Sequence, residues 1–138
     1  MKKLILVLAI VLATLTGCAQ KTKQTLKVFN WGVYIDETVI KDFEALYNVN
    51  VIYDNYDSNE SMYTKLQSGE KYDVLVPTDW MVQRLIAETK LQKIDLTKIP
   101  NLANVDKGLL NRSFDPNNQY SVPYFWGNIG IIYNKNNV

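Results

Sequence analysis

The sequence has no histidine. That removes histidine general acid–base catalysis, the Ser-His-Asp arrangement and the usual zinc sites. It has one cysteine, so no disulfide can form within the chain. Neither charge is in excess, with 15 basic residues against 14 acidic ones. No Lys- or Arg-rich stripe is present to track a phosphate backbone, which excludes nucleic acid as a partner. There is no internal repeat and no low-complexity tract. Nothing calls for a metal or a cofactor. What is present is a chain of 138 residues, 47% hydrophobic, long enough for one modest core.

The first 17 residues read as a signal peptide. Lys2 and Lys3 form a positive start, and Leu4 to Leu15 is apolar except for Thr14. That run is too short for a comfortable membrane span. It ends Leu15-Thr16-Gly17-Cys18, which resembles the lipobox of bacterial lipoproteins. In such proteins the chain is cut before the cysteine and the sulfur is lipidated. The alternative is an ordinary secretory signal with an incidental cysteine. Residues 18–25 then read as the lipidated Cys18 and a flexible polar tether.

The remainder, 26–138, is organised around Leu26 to Asp36. Leu26 to Asn30 reads as a short strand that stops at Asn30-Trp31-Gly32. Asp36 suits a helix N-cap, and Val39, Ile40, Phe43, Leu46 and Tyr47 fall at helical spacing over Glu37 to Tyr47. Asn48 suits that helix's end. A second strand is expected over Val49 to Tyr53, and Asp54 to Asn59 reads as a polar turn. Ser58 or Asn59 can cap a helix over Glu60 to Gln67, with Met62, Tyr63 and Leu66 inward and Gly69 closing it. Tyr72 to Val76 reads as a strand buried on both faces and ended by Pro77. Thr78 and Asp79 offer caps for a helix over Trp80 to Glu88, with Val82, Leu85 and Ile86 inward. The β-α-β-α-β-α order predicts a mainly parallel sheet with helices on its faces. Beyond Lys90, Leu91 and Ile94 could pair briefly as strand, and Asn104 to Asn111 could form a short helix. Asp115-Pro116-Asn117-Asn118 is a turn signal. Trp126 to Tyr133 reads as a further buried strand.

Ligands of open α/β sheets bind beyond the carboxyl ends of the strands. Trp31, Tyr34 and Trp80 fall after such ends. If both strands lie in one sheet, Trp31 and Trp80 share an edge and could face one cleft. Aromatic faces near carboxylates attract alkylammonium groups. Equally, both tryptophans could cap the core beneath the loops. Asp79 could be an N-cap or a ligand contact. Asp57 and Glu60 could be caps or lie at a cleft rim. Tyr53, Tyr63 and Tyr72 are assigned to core or surface.

Several stretches together carry a resemblance. They are Asn30-Trp31-Gly32-Val33-Tyr34, Asp57-Ser58-Asn59-Glu60-Ser61-Met62-Tyr63, Tyr72 through Trp80, Phe114 through Asn118, and Tyr120 through Gly127. In this order they resemble the spermidine/putrescine-binding proteins, the extracytoplasmic receptors of bacterial polyamine ABC importers. The resemblance implies an α/β chain forming the first lobe of a two-lobe, type II periplasmic-binding-protein-like fold, incomplete here. That N-terminal lobe would end after the first inter-lobe crossing strand, through Gly127 and Gly130. It implies that Trp31, Tyr34, Thr78 and Trp80 line a polyamine channel. The family's main carboxylates for the ammonium groups belong to the second lobe. Gly32, Val33 and Trp80 depart from residues common in the family, which bears on the preferred polyamine.

The leading expectation is therefore a lipid-anchored, extracytoplasmic receptor, not an enzyme, that passes polyamines to a membrane permease. The alternative is a surface carbohydrate-binding or glycan-hydrolysing lipoprotein. Asp57, Glu60 and Asp79 could supply a carboxylate pair for the latter, but no spacing singles one out.

Overall fold

The computed structural model describes residues 22–127 and 130–137. The expected signal peptide and the expected lipidation site at Cys18 lie outside the described residues. Strand β1 spans Gln24–Trp31, helix α1 Glu37–Tyr47, strand β2 Val49–Tyr56, helix α2 Asn59–Gln67, strand β3 Val74–Leu75 and helix α3 Asp79–Ala87. The sheet order is β2-β1-β3. Both pairings are parallel, with Val28 opposite Tyr53 on one side and Val74 on the other. The expected parallel α/β lobe is thus the observed one.

Local chemistry sets the helix ends. Asp36 caps α1, accepting from Thr38 N at 2.8 Å and Thr38 Oγ1 at 2.7 Å. Asn48 ends α1 in the left-handed region at φ 50°. Glu44, near the end of α1, reaches forward to accept from Val51 N of β2 at 2.7 Å. Ser58 caps α2 in a reciprocal box with Ser61. Gly69 follows α2 at φ 98°, a conformation open to glycine, and its N–H donates to Leu66 O.

The core lies on one face of the sheet. Phe29, Tyr56, Met62, Met81 and Leu85 are buried together, with Trp31, Tyr63, Leu66, Tyr72, Leu75 and Leu91 packed around them. Burying one such large side chain contributes roughly 1.5–3 kcal/mol. Met81 joins this core although the helical spacing singled out Val82, Leu85 and Ile86. At the rim, Lys65 sits 4.9 Å from the Phe29 ring centroid and 3.3 Å from Asp54 Oδ2. The Tyr72 hydroxyl, donating at 2.7 Å, and after it Lys65 hold the Asp54 carboxyl below its ordinary value.

On the opposite face α1 lies over β1 and β2. Leu26, Val28, Ile40, Phe43 and Val51 line an apolar groove there. Leu46 and Tyr47 remain exposed despite their helical spacing.

Several expectations change. The polar turn expected from Asp54 to Asn59 begins later, because β2 runs on to Tyr56. Parallel pairing to Phe29, Asn30 and Trp31 continues irrespective of side-chain polarity. Strand β3 is shorter than Tyr72 to Val76. The Asp73 carboxylate accepts from Lys27 N at 2.8 Å, taking a place that a strand carbonyl would fill. Nor is β3 buried on both faces: Val74 is 42% exposed, because α1 covers the β2 side of that face. Residues 90–111 hold only 3-10 turns, at Leu96–Lys98, Pro100–Asn104 and Lys107–Leu109. Ile94 N donates to Gln119 O at 2.7 Å without forming a strand, and Asp106 stops the expected helix by capping the last turn at Gly108 N.

The largest correction concerns Trp126 to Tyr133. The described part of that segment is in no strand. Trp126 is 72% exposed and Ile132 fully exposed. Apolar β-branched sequence needs a partner edge to become strand, and no described strand pairs with it.

Candidate functional site

The carboxyl edge of the sheet is held together at one carbonyl. Trp31, the last residue of β1, donates its indole Nε1 to Val76 O at 2.8 Å. The Tyr56 hydroxyl, from the last residue of β2, donates to the same oxygen. Val76 N in turn donates to Phe29 O at 3.1 Å. The ends of all three strands are thereby tied at Val76. Burial pushes the Tyr56 phenol well above its ordinary value, so it stays a donor.

The indole N–H of Trp31 is occupied, which leaves its ring faces. One neighbour is the Tyr56 ring, 4.7 Å away between centroids, and another is Tyr34 at 5.9 Å. Asn30, buried beneath, accepts from Trp31 N at 2.8 Å. Beyond Gly32 the chain turns to bring Tyr34 back over the edge. Tyr34 meets Phe125 edge-to-face, at 5.1 Å and 77°. The Tyr124 hydroxyl donates to Tyr34 O. Trp31, Tyr34, Tyr124 and Phe125 therefore form one continuous aromatic group.

Thr78 and Trp80 stand at the start of α3, just past β3. Thr78 is the N-cap residue and is bonded through both its N–H and its hydroxyl to Asn59. Asp79 is the first residue inside the helix instead of its cap, and its Oδ1 accepts from Trp80 N at 2.7 Å. Trp80 is 45% exposed. Topology places Trp80 and Trp31 at one edge, but among the described residues no ring pairs with Trp80. Asp57 precedes the Ser58 cap and Glu60 lies in the first turn of α2; both are exposed.

Residues 38–137 match the family model for the bacterial extracellular solute-binding proteins. The chain belongs to that family. Among solute-binding proteins, it is 41% identical over 109 residues to the spermidine/putrescine-binding periplasmic protein of Escherichia coli, a match covering 78% of this chain and 31% of that protein. It is also similar in structure to the spermidine/putrescine ABC transporter substrate-binding protein of Streptococcus pneumoniae, with a TM-score of 0.73 and 40% identity. That likeness covers 76% of this chain and 33% of the other. A lipoprotein of Treponema pallidum has a TM-score of 0.69 and 42% identity, over 74% of this chain and 33% of its own. The chain thus spans about a third of the length of the relatives it matches.

Two aromatic members of this edge, Tyr124 and Phe125, are not singled out by the sequence. The signal lay in the Tyr120 to Gly127 stretch, which carried the resemblance without naming a role. What delivers them is the loop before. Asp115 is only 2% exposed, and its carboxylate accepts from Gln119 N at 3.0 Å, Tyr120 N at 3.1 Å, Ser121 N at 2.7 Å and Ser121 Oγ at 2.7 Å. Four donors offset the cost of burying that charge. Asn118 adds a bond from Asn111 N at 2.9 Å and another to Ser121 O at 3.2 Å. The turn read at Asp115 to Asn118 is therefore an anchor that aims 122–125 at the edge.

Proposed function

We propose that this protein is the extracytoplasmic receptor of an ABC importer and that it binds a polyamine, spermidine or putrescine, for delivery to a membrane permease. The observation that carries this reading is the aromatic group at the sheet's carboxyl edge, in a chain about 40% identical to proteins named for those ligands. A polyamine is a chain of methylenes between ammonium groups. Flat ring faces suit the methylenes, and their negative π-faces suit the cations.

In this reading Trp31, Tyr34, Thr78 and Trp80 contact the ligand, and Tyr124 and Phe125 wall the same edge. The task is capture and release, with no bond made or broken, so no catalytic group is assigned. Residues 1–17 direct export, Cys18 carries a lipid anchor, and 26–138 supply the first lobe of the receptor. The lipoprotein relative from Treponema pallidum supports the anchor. The relatives do not favour the carbohydrate-binding or glycan-hydrolysing alternative.

Titration calorimetry of the whole two-lobe protein with spermidine and with putrescine tests the reading. Saturable binding without turnover is expected. Indifference to both polyamines alongside binding of a glycan would overturn it.

A further inference from the structure

Thr78 sits at the N-cap of α3, yet its hydroxyl makes no capping bond. A threonine there ordinarily accepts from a helix N–H two or three residues on. In this helix Trp80 N is taken by Asp79 Oδ1, and Met81 N and Val82 N by the Thr78 carbonyl. The Thr78 hydroxyl turns instead to Asn59, whose Nδ2 donates to Oγ1 at 3.0 Å. Asn59 Oδ1 accepts from Thr78 N at 3.2 Å. A backbone N–H can only donate, so it dictates which end of the amide faces it. The oxygen must face Thr78 N, and the NH2 must face the hydroxyl. Asn59 is 6% exposed and opens α2 beside the Ser58–Ser61 box, so its own position is held from both sides.

A hydroxyl has one proton and two lone pairs. The Asn59 amide fills one lone pair and keeps the group off the helix cap. We propose that Asn59 is a positioning residue for the ligand edge: it holds Thr78 Oγ1 with one lone pair open to accept from a primary ammonium group. This rests on the polyamine reading above. It also accounts for a buried amide spending both of its ends on one residue.

The test is a double-mutant cycle on the protein as the cell makes it, titrated with spermidine and putrescine. Its members are wild type, Asn59→Ala, Thr78→Val and the double variant, each first checked by circular dichroism and thermal melting. Asn59→Ser replaces Asn59→Ala if the latter does not fold. Thr78→Val is expected to weaken binding about five- to tenfold. Asn59→Ala should weaken it similarly in the Thr78 background and by less than twofold in the Thr78→Val background. Thr78→Ser should retain wild-type affinity within about twofold, because the hydroxyl is kept. Equal losses from Asn59→Ala in both backgrounds would show a general packing role and overturn this inference alone. Wild-type affinity in Thr78→Val would overturn it as well. A wild type that binds neither polyamine would overturn the polyamine reading itself, and this inference with it.

Discussion

The indole nitrogen of Trp31 lies 2.8 Å from the carbonyl oxygen of Val76, a residue 45 positions away in sequence. That bond orients the ring at the edge where β1 and β3 end side by side. It also separates two functions of one side chain. The N–H is structural, and the proposed ligand contact falls to the ring faces.

The two roles can be split by substitution. Trp31→Ala should weaken polyamine binding by roughly 1–2 kcal/mol, the range for a desolvated cation–π contact. Trp31→Phe keeps a ring face but loses the bond to Val76, so it should cost about 1 kcal/mol of stability with a smaller loss of affinity. Calorimetry and urea unfolding read the two separately. If Trp31→Ala and Trp80→Ala both bind as tightly as wild type, these aromatics belong to the core and the site assignment fails.

Tyr56 shares the Val76 carbonyl and is held neutral by burial. Its folded pKa is raised, so the folded state keeps a proton that the unfolded chain releases above pH of about 10. The group's contribution to stability is then fully present below that pH and is lost as pH rises beyond it. Tyr56→Phe should lower stability at neutral pH by about 1 kcal/mol and flatten the alkaline decline. Urea midpoints measured from pH 8 to pH 11 check this; parallel curves for the two proteins would refute it.

Asp115 anchors the loop that carries Tyr124 and Phe125. Asp115→Asn replaces one accepting oxygen with an NH2 among N–H donors. It should cost roughly 1.5–3 kcal/mol, as for hydrogen bonds to a charged group. Amide exchange should quicken at 119–121, and at 124–125 if the loop sets their position. Unchanged exchange at all five positions would mean the loop holds its shape without the carboxylate.

The lipobox-like Leu15-Thr16-Gly17-Cys18 predicts a mature chain beginning at a diacylglycerol-modified Cys18. One acyl chain binds membranes only marginally, whereas two or three anchor stably. Mass spectrometry of the native N-terminal peptide should show the lipid, and Cys18→Ala should release the protein from the membrane fraction. An unmodified N-terminus beyond Cys18 would rule the anchor out.

The sequence by itself determined what depends on neighbours within a turn or two. Helix α1 runs from Glu37 to Tyr47 between Asp36 and Asn48, as read, because its cap bonds span a few residues. The same holds for Ser58 at the head of α2 and Gly69 at its tail. The alternation of strands and helices was enough to imply a parallel sheet, since short connections permit little else. Trp31, Tyr34 and Trp80 stood out because they fall at strand ends, and Thr78 only through the family resemblance; the structure has Trp31 as the last residue of β1 and Thr78 and Trp80 at the start of α3, just past β3. Only the tertiary structure decided how they are held there. That Val76 O takes both Trp31 and Tyr56, that Asn59 claims the Thr78 hydroxyl, and that Phe125 meets Tyr34 all depend on residues 19 to 91 positions apart. Burial was likewise beyond reach at Val74, Leu46 and Ile132. Apolar character measures the gain from being covered, and which surface is actually covered depends on the elements packed against it.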